Sequence, residues 1–302
     1  MKSHLWACVV LSVAATAAVA AAQDMPISQI LIEGEGWRVA SEGYQFTEGP
    51  AVDKEGNVYF VDVPASKILK LDFASGKVTT FAENTGRASG LSFGGDGRLY
   101  ACQNGGRAIV AYDAAGKPVA VCDDIDVNDL VVTGTNHIYV TDPKNHRVWH
   151  VDPQGKKTVA DEGIERPNGI CVWPDQRTLV VADSAGDRLW TFRIADDYSL
   201  QVKQPYSTLQ LTTAAINAGK SASGADGLKA DGAGRVYVCT QAGLQVFDPS
   251  GRLSGIIAKP QEKALSNVTL AGPKLDTLVV TSADKVYWRK TKATGVANFS
   301  KP

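Results

Sequence analysis

Apolar residues in this chain fall in short runs separated by turns of Gly, Asp, Pro and Asn, and the runs recur in one order. Six segments share the plan: EGPAVDKEGNVYF, SGLSFGGDGRLYA, NDLVVTGTNHIYV, NGICVWPDQRTLVV, DGLKADGAGRVYV and NVTLAGPKLDTLVV. Each reads as a short strand, a turn and a second strand rich in Val, Leu, Ile and Tyr. Marking the second strand by Tyr59, Tyr100, Tyr139, Val180, Tyr237 and Val279 gives spacings of 41, 39, 41, 57 and 42 residues. A third apolar strand follows each (ILKLD, IVAYD, VWHVD, LWTF, LQVFD, VYW), and several repeats turn through Gly into a fourth, as in GKVTTFAE, GKPVAVCD and GKKTVADE. Four strands in about forty residues is the size of a propeller blade.

Six such units predict an all-β fold, a six-bladed β-propeller. Such a ring must close, because open end blades would expose unpaired strand edges. The last repeat stops soon after VYWRK and lacks an outermost strand, so the segment of about residues 27 to 47 is expected to supply it. With no composition shift near the middle, residues 23 to 302 read as a single propeller domain. The long interval carries YSTLQLTTAAINAGKSASG, from Tyr206 to Gly224, which enters the first strand of blade five on the mouth side of the ring. It reads either as a surface loop or as a lid whose small and apolar residues wall a pocket.

Residues 1 to 22 read as a secretory signal: Lys2, then an apolar Ala-rich run, then small residues at Ala20 to Ala22 before Gln23. A retained anchor is the alternative, since the run is near spanning length although mostly weakly hydrophobic Ala. The expected location is the periplasm or the exterior, with no membrane contact after cleavage. Export permits disulfides, and Cys102, Cys122, Cys171 and Cys239 remain, but three of them lie inside apolar strands of different repeats, where Cys serves as a small buried hydrophobe. With 31 Lys plus Arg against 32 Asp plus Glu, the chain has no basic stripe for nucleic acid, and a small-molecule partner fits better.

Candidate chemistry comes from aligning the repeats. The position eleven or twelve residues before each marker carries Glu48, Ser89, Asn128, Asn168, Asp226 and Asn267. The innermost strands of a propeller surround its channel, so these six face one another at one mouth, and all offer oxygen. Asn168-Gly169 and Asp226-Gly227 are also ordinary turn dipeptides. Glu has no turn preference, however, and Glu48 facing Asp226 across a narrow channel would repel it unless a cation lay between them.

Oxygen-only donors suit Ca²⁺ first, with Mg²⁺, Mn²⁺ or Zn²⁺ as alternatives, although the ring holds no thiolate or imidazole for a structural zinc. His137, His146 and His150, close together in one repeat, read as packing or surface residues rather than a ligand set. A second ring, three residues beyond the markers, carries Asp62, Gln103, Asp142, Asp183, Thr240 and Ser282. Its carboxylates suit turn capping. Ser89, Arg166, Asn267 and Asp142 are the candidate substrate contacts.

Thr47-Glu48-Gly49-Pro50, Asn128-Asp129-Leu130, Tyr139-Val140-Thr141-Asp142-Pro143, Arg166-Pro167-Asn168-Gly169 and Asp226-Gly227-Leu228 together resemble the SMP-30/gluconolactonase family of metal-dependent six-bladed propellers, over about residues 45 to 290. The resemblance implies one divalent cation held by Glu48, Asn128, Asn168 and Asp226, the same set the alignment selects. It implies hydrolysis of a lactone or related ester, with Asp226, or else Glu48, activating water or attacking directly. In one place the chain departs from the pattern. Sugar-lactone hydrolases of the family read Arg-Pro-Asn-Asp where this chain has Asp126-Val127-Asn128-Asp129, which argues against an aldonolactone unless Arg166 substitutes. Phosphotriester cleavage or sugar-ring elimination at the same site, or a cation-stabilised scaffold without catalysis, are the alternatives.

Overall fold

A computed structural model describes residues 25–296; the signal-peptide reading lies outside the described residues. Six four-stranded antiparallel sheets form the blades, and in five of them the strands follow one another in sequence from the channel outwards. Blade six has the order Asn267–Ala271, Thr277–Ser282, Lys285–Lys290 and then Arg38–Glu42, so the N-terminal segment supplies its outer edge. Arg38 pairs with Trp288 and Glu42 with Lys285, which closes the ring with backbone hydrogen bonds. The fold class and the closing strand agree with the reading of the repeats.

Burial explains why the second strands carry no polar/apolar alternation. Both faces of an inner sheet region are covered by neighbouring blades, so every residue of Val58–Asp62, Ile138–Asp142 and Val236–Thr240 is buried. Outermost strands face water on one side and on their edge, and Pro118–Cys122 is exposed over its first three residues. The core accordingly lies between blades. One cluster joins Val131, Tyr139 and Val148 of blade three to Ile170, Leu179, Val181 and Phe192 of blade four.

Asp side chains hold the turns between third and fourth strands. Asp113 Oδ1 accepts from the amides of Ala115 and Lys117 at 2.9 Å each, and Asp152 and Asp248 repeat the arrangement. The four cysteines of the described residues are free and buried. Among the described residues no helix is long and apolar enough to cross a membrane.

The Tyr206–Gly224 segment begins inside the long outer strand of blade four, Leu200–Thr208, and then forms the short helix Thr213–Asn217, capped by Thr212. Gln210 and Gln245 exchange two hydrogen bonds at 2.9 and 2.8 Å, and Ser223 bonds the Gly186 carbonyl. Both ends of the segment are therefore fastened to blades four and five.

Candidate metal centre

The inner strands are stitched to one another at the mouth where the ring residues sit. Gly90 N donates to Asn128 O (3.0 Å), Thr141 Oγ1 to Asn168 O (2.7 Å), Gly227 N to Ser266 O (2.8 Å) and Ser266 Oγ to Thr47 O (2.8 Å). Close approach requires glycine after the ring residue. A Cβ on Gly227 would lie 1.9 Å from Asn267 Cγ, and one on Gly169 would lie 2.1 Å from the Asp226 carbonyl oxygen.

Glu48 and Asp226 lie within each other's electrostatic field. Burial, then the charge of Asp129, push the Glu48 carboxyl up to about 7, against the amide of Gly49 (2.7 Å) and Asn267 Nδ2 (3.3 Å), which favour its charged form. Asp226 is likewise raised well above the ordinary carboxylate range, first by burial and then by Glu48 and Asp129, while the Asn168 side chain and the charge of Arg166 oppose the shift. Two acids drawn together against their repulsion fit a site made for a cation.

Asn168 supplies a further sign. Its side chain hydrogen-bonds Asp226, yet its Oδ1 is buried with no hydrogen-bond partner among the described residues. A buried carbonyl oxygen without a donor costs free energy unless a cation fills the role. The backbone of Asn128 is pinned by Thr141 O and by Ser89 Oγ, which donates to Asn128 O at 2.6 Å, and its side chain is half-buried at the ring. The donor set of Glu48, Asn128, Asn168 and Asp226 thus fits a hard divalent ion. Among the described residues no group of three or more His, Cys, Asp or Glu is placed to hold a metal, so any such centre here draws on amides.

The other candidates are placed differently. Asn267 is buried with its amide committed: Nδ2 donates to Glu48 Oε2 (3.3 Å) and Asp129 Oδ2 (3.1 Å), and Oδ1 accepts from Val268 N (2.8 Å). Ser89 spends its hydroxyl proton on Asn128 O. Asp142 is fully buried, accepting from Asn145 and from Trp149 Nε1 (3.1 Å), and so holds a turn. Asp62 and Asp183 likewise accept backbone amides. Arg166 is exposed at the rim, close enough for its charge to act on Asp226. His137 Nδ1 lies 2.8 Å from His150 Nε2, and both rings stack with Tyr198.

Two charged residues of the channel escaped the repeat alignment. Asp129 is buried beside the ring, pushed up to about 6 by burial. Lys229, three residues after Asp226, lines a cavity of about 50 Å³ together with Asp129. The signal for Asp129 lies in the pairs Glu48-Gly49, Ser89-Gly90, Asn168-Gly169 and Asp226-Gly227: at Asn128-Asp129 a carboxylate stands where four repeats need glycine. At Asp126, where the family pattern has arginine, the carboxylate binds Arg107 (2.6 Å) and Lys144 (3.5 Å).

The family model described as the SMP-30/Gluconolactonase/LRE-like region matches residues 46–284. A gluconolactonase of Zymomonas mobilis is 25% identical over 295 residues, which cover 85% of this chain and 82% of that protein. Among solved structures, a gluconolactonase from Xanthomonas campestris superposes with a TM-score of 0.76 at 21% identity, covering 88% of this chain and 92% of its own. The calcium-binding protein regucalcin from Agrobacterium tumefaciens gives 0.74 at 19% identity, over 87% and 96%.

Proposed function

Because the chain belongs to the SMP-30/gluconolactonase/LRE-like family, we propose that it is an exported hydrolase of a lactone or related ester, dependent on one divalent cation in the channel. The observation that carries this reading is the convergence of Glu48, Asp226 and the unpartnered Asn168 Oδ1 at one mouth. The similarity to the Zymomonas gluconolactonase supports the reaction class. The likeness to regucalcin, a calcium-binding protein, supports Ca²⁺ as the ion. Export rests on the sequence of residues 1 to 22.

Glu48, Asn128, Asn168 and Asp226 would hold the ion, which supplies Lewis acidity toward a substrate carbonyl. Asp226 is the better base of the two acids. Glu48 Oε2 already accepts from Gly49 N and Asn267 Nδ2, which fixes it as a holder. Asp226 is flanked by Asn168 and by the exposed Arg166, whose charge favours the ionised form. Its carboxylate takes a proton from water as the water oxygen bonds to the carbonyl carbon, and it returns that proton to the ring oxygen as the C–O bond breaks, leaving the hydroxy acid. With Asp126 engaged by Arg107 and Lys144, Arg166 is an exposed cation whose charge reaches the base, suited to a substrate oxygen.

A panel of lactones and aryl esters, assayed with EDTA and after metal add-back, tests the class of reaction. Asp226→Asn should lose turnover by at least about a hundredfold while melting as a folded protein. Full activity in that variant would remove the base assignment, and hydrolysis unaffected by EDTA would remove the cation.

A further inference from the structure

Three carboxylates meet at the mouth of the channel: Glu48, Asp226 and Asp129. Asp129 is no free ligand, because Oδ1 accepts from Leu130 N (2.9 Å) and Oδ2 from Asn267 Nδ2 (3.1 Å). It acts instead as a fixed negative charge beside the ring. One divalent ion leaves this set one positive charge short. The position three residues after each ring residue lines the cavity below the mouth, and it carries Ala51, Ser92, Val131, Cys171, Lys229 and Leu270. Five are neutral; the sixth is a lysine whose pKa burial lowers from the usual range, against the pull of Asp129 within electrostatic reach. The adjacent Cys171 thiol, pushed up to about 12 by burial, adds no charge at neutral pH.

We propose that Lys229 is the internal counter-charge of this centre: with Asp129 it sets the total so that the ring is matched to a divalent rather than a trivalent cation. Lys229 is a positioning residue that acts through the field at the ring, and the inference rests on the cation reading given above. A fixed unit charge acts on an ion in proportion to that ion's valence, so its removal favours a trivalent ion over a divalent one. Buried charges in a channel are weakly screened, which makes the effect measurable.

The test is calorimetric titration of the purified protein with Ca²⁺ and with Tb³⁺ at neutral pH, read as affinity and not as turnover. Lys229→Met should tighten Ca²⁺ by about tenfold and Tb³⁺ by about thirtyfold, since the free-energy gain scales with valence. Asp129→Asn should weaken both, Tb³⁺ more. The double variant Lys229→Met with Asp129→Asn restores the charge total and should return Ca²⁺ affinity to within about threefold of wild type, and it decides the matter if the single lysine variant fails to fold. Equal changes for the two ions, or a double variant as weak as Asp129→Asn alone, would overturn the role of Lys229. Wild-type protein that binds neither ion would overturn the cation reading itself.

Discussion

Replacing Glu48 by Gln should make the protein more stable without a cation and less stable with one. In the cation-free protein the Glu48 carboxyl is raised from 4.5 to about 7, chiefly by burial and then by Asp129. A carboxyl raised in the folded state holds its proton more tightly there than in the unfolded chain. The folded state therefore loses stability as pH rises from about 4.5 through about 7, and the full penalty stands above about 7. Moving the carboxyl by that much corresponds to about 3 kcal/mol. The neutral Gln lacks this penalty but keeps only part of the hydrogen bonding, since Glu48 Oε2 serves both Gly49 N and Asn267 Nδ2. A net gain of about 1–2 kcal/mol at pH 8 in EDTA is expected, a rise in Tm of a few degrees. With saturating Ca²⁺ the order reverses, because the wild type alone gains the binding free energy of a complete ligand set. Thermal melts of both proteins, each with EDTA and with Ca²⁺, read the result. A variant that melts below wild type in EDTA at pH 8 refutes the claim that the ring stores repulsion.

Cation affinity should fall as pH drops, because Asp226, raised well above its ordinary range, then Glu48 near 7 and Asp129 near 6 take up protons that a cation must displace or oppose. Calorimetry in two buffers of different ionisation enthalpy at pH 6.5 should count at least about one proton released per ion, from Glu48 and Asp226, and a count of zero contradicts the raised carboxyls. Gly227→Ala places a methyl 1.9 Å from Asn267 Cγ, so it should lower stability by about 2–4 kcal/mol and weaken cation binding through the displaced Asn267 bridge; an unchanged Tm would show that the inner strands are not held in this contact. The thiols of Cys102, Cys122, Cys171 and Cys239 are buried and raised by burial, so a thiol reagent should react with them only as the protein unfolds.

Much of the architecture was legible because each blade buries the same strands in the same way. Turn residues at fixed offsets and fully apolar second strands such as Val58–Asp62 repeat at blade spacing, and a missing last strand pointed to the N-terminal segment that does pair with Lys285–Lys290. The ring positions could be counted because one strand start is shared by all blades. The hydrogen-bond economy around them could not be counted. Asn267 offered an amide to the mouth in the alignment, yet it is spent on bridging Glu48 and Asp129, a contact between residues 219 and 138 positions apart. Asp129 and Lys229 stayed hidden for a local reason. In their blades the paired first strand begins only at Leu130 and Leu228, after the ring residue, and Thr141 and Cys239 each bond both the ring residue and the one that follows it, so a simple alternation of faces does not show which residues turn toward the channel.

The channel ion itself should be visible in crystals grown with Ca²⁺ and measured for anomalous scattering. One peak is expected on the channel axis, about 2.3–2.6 Å from oxygens of Glu48, Asn128, Asn168 and Asp226, with Asn168 Oδ1 among its ligands. A channel without a peak under saturating Ca²⁺, with Asn168 Oδ1 still unpartnered, would contradict the cation reading.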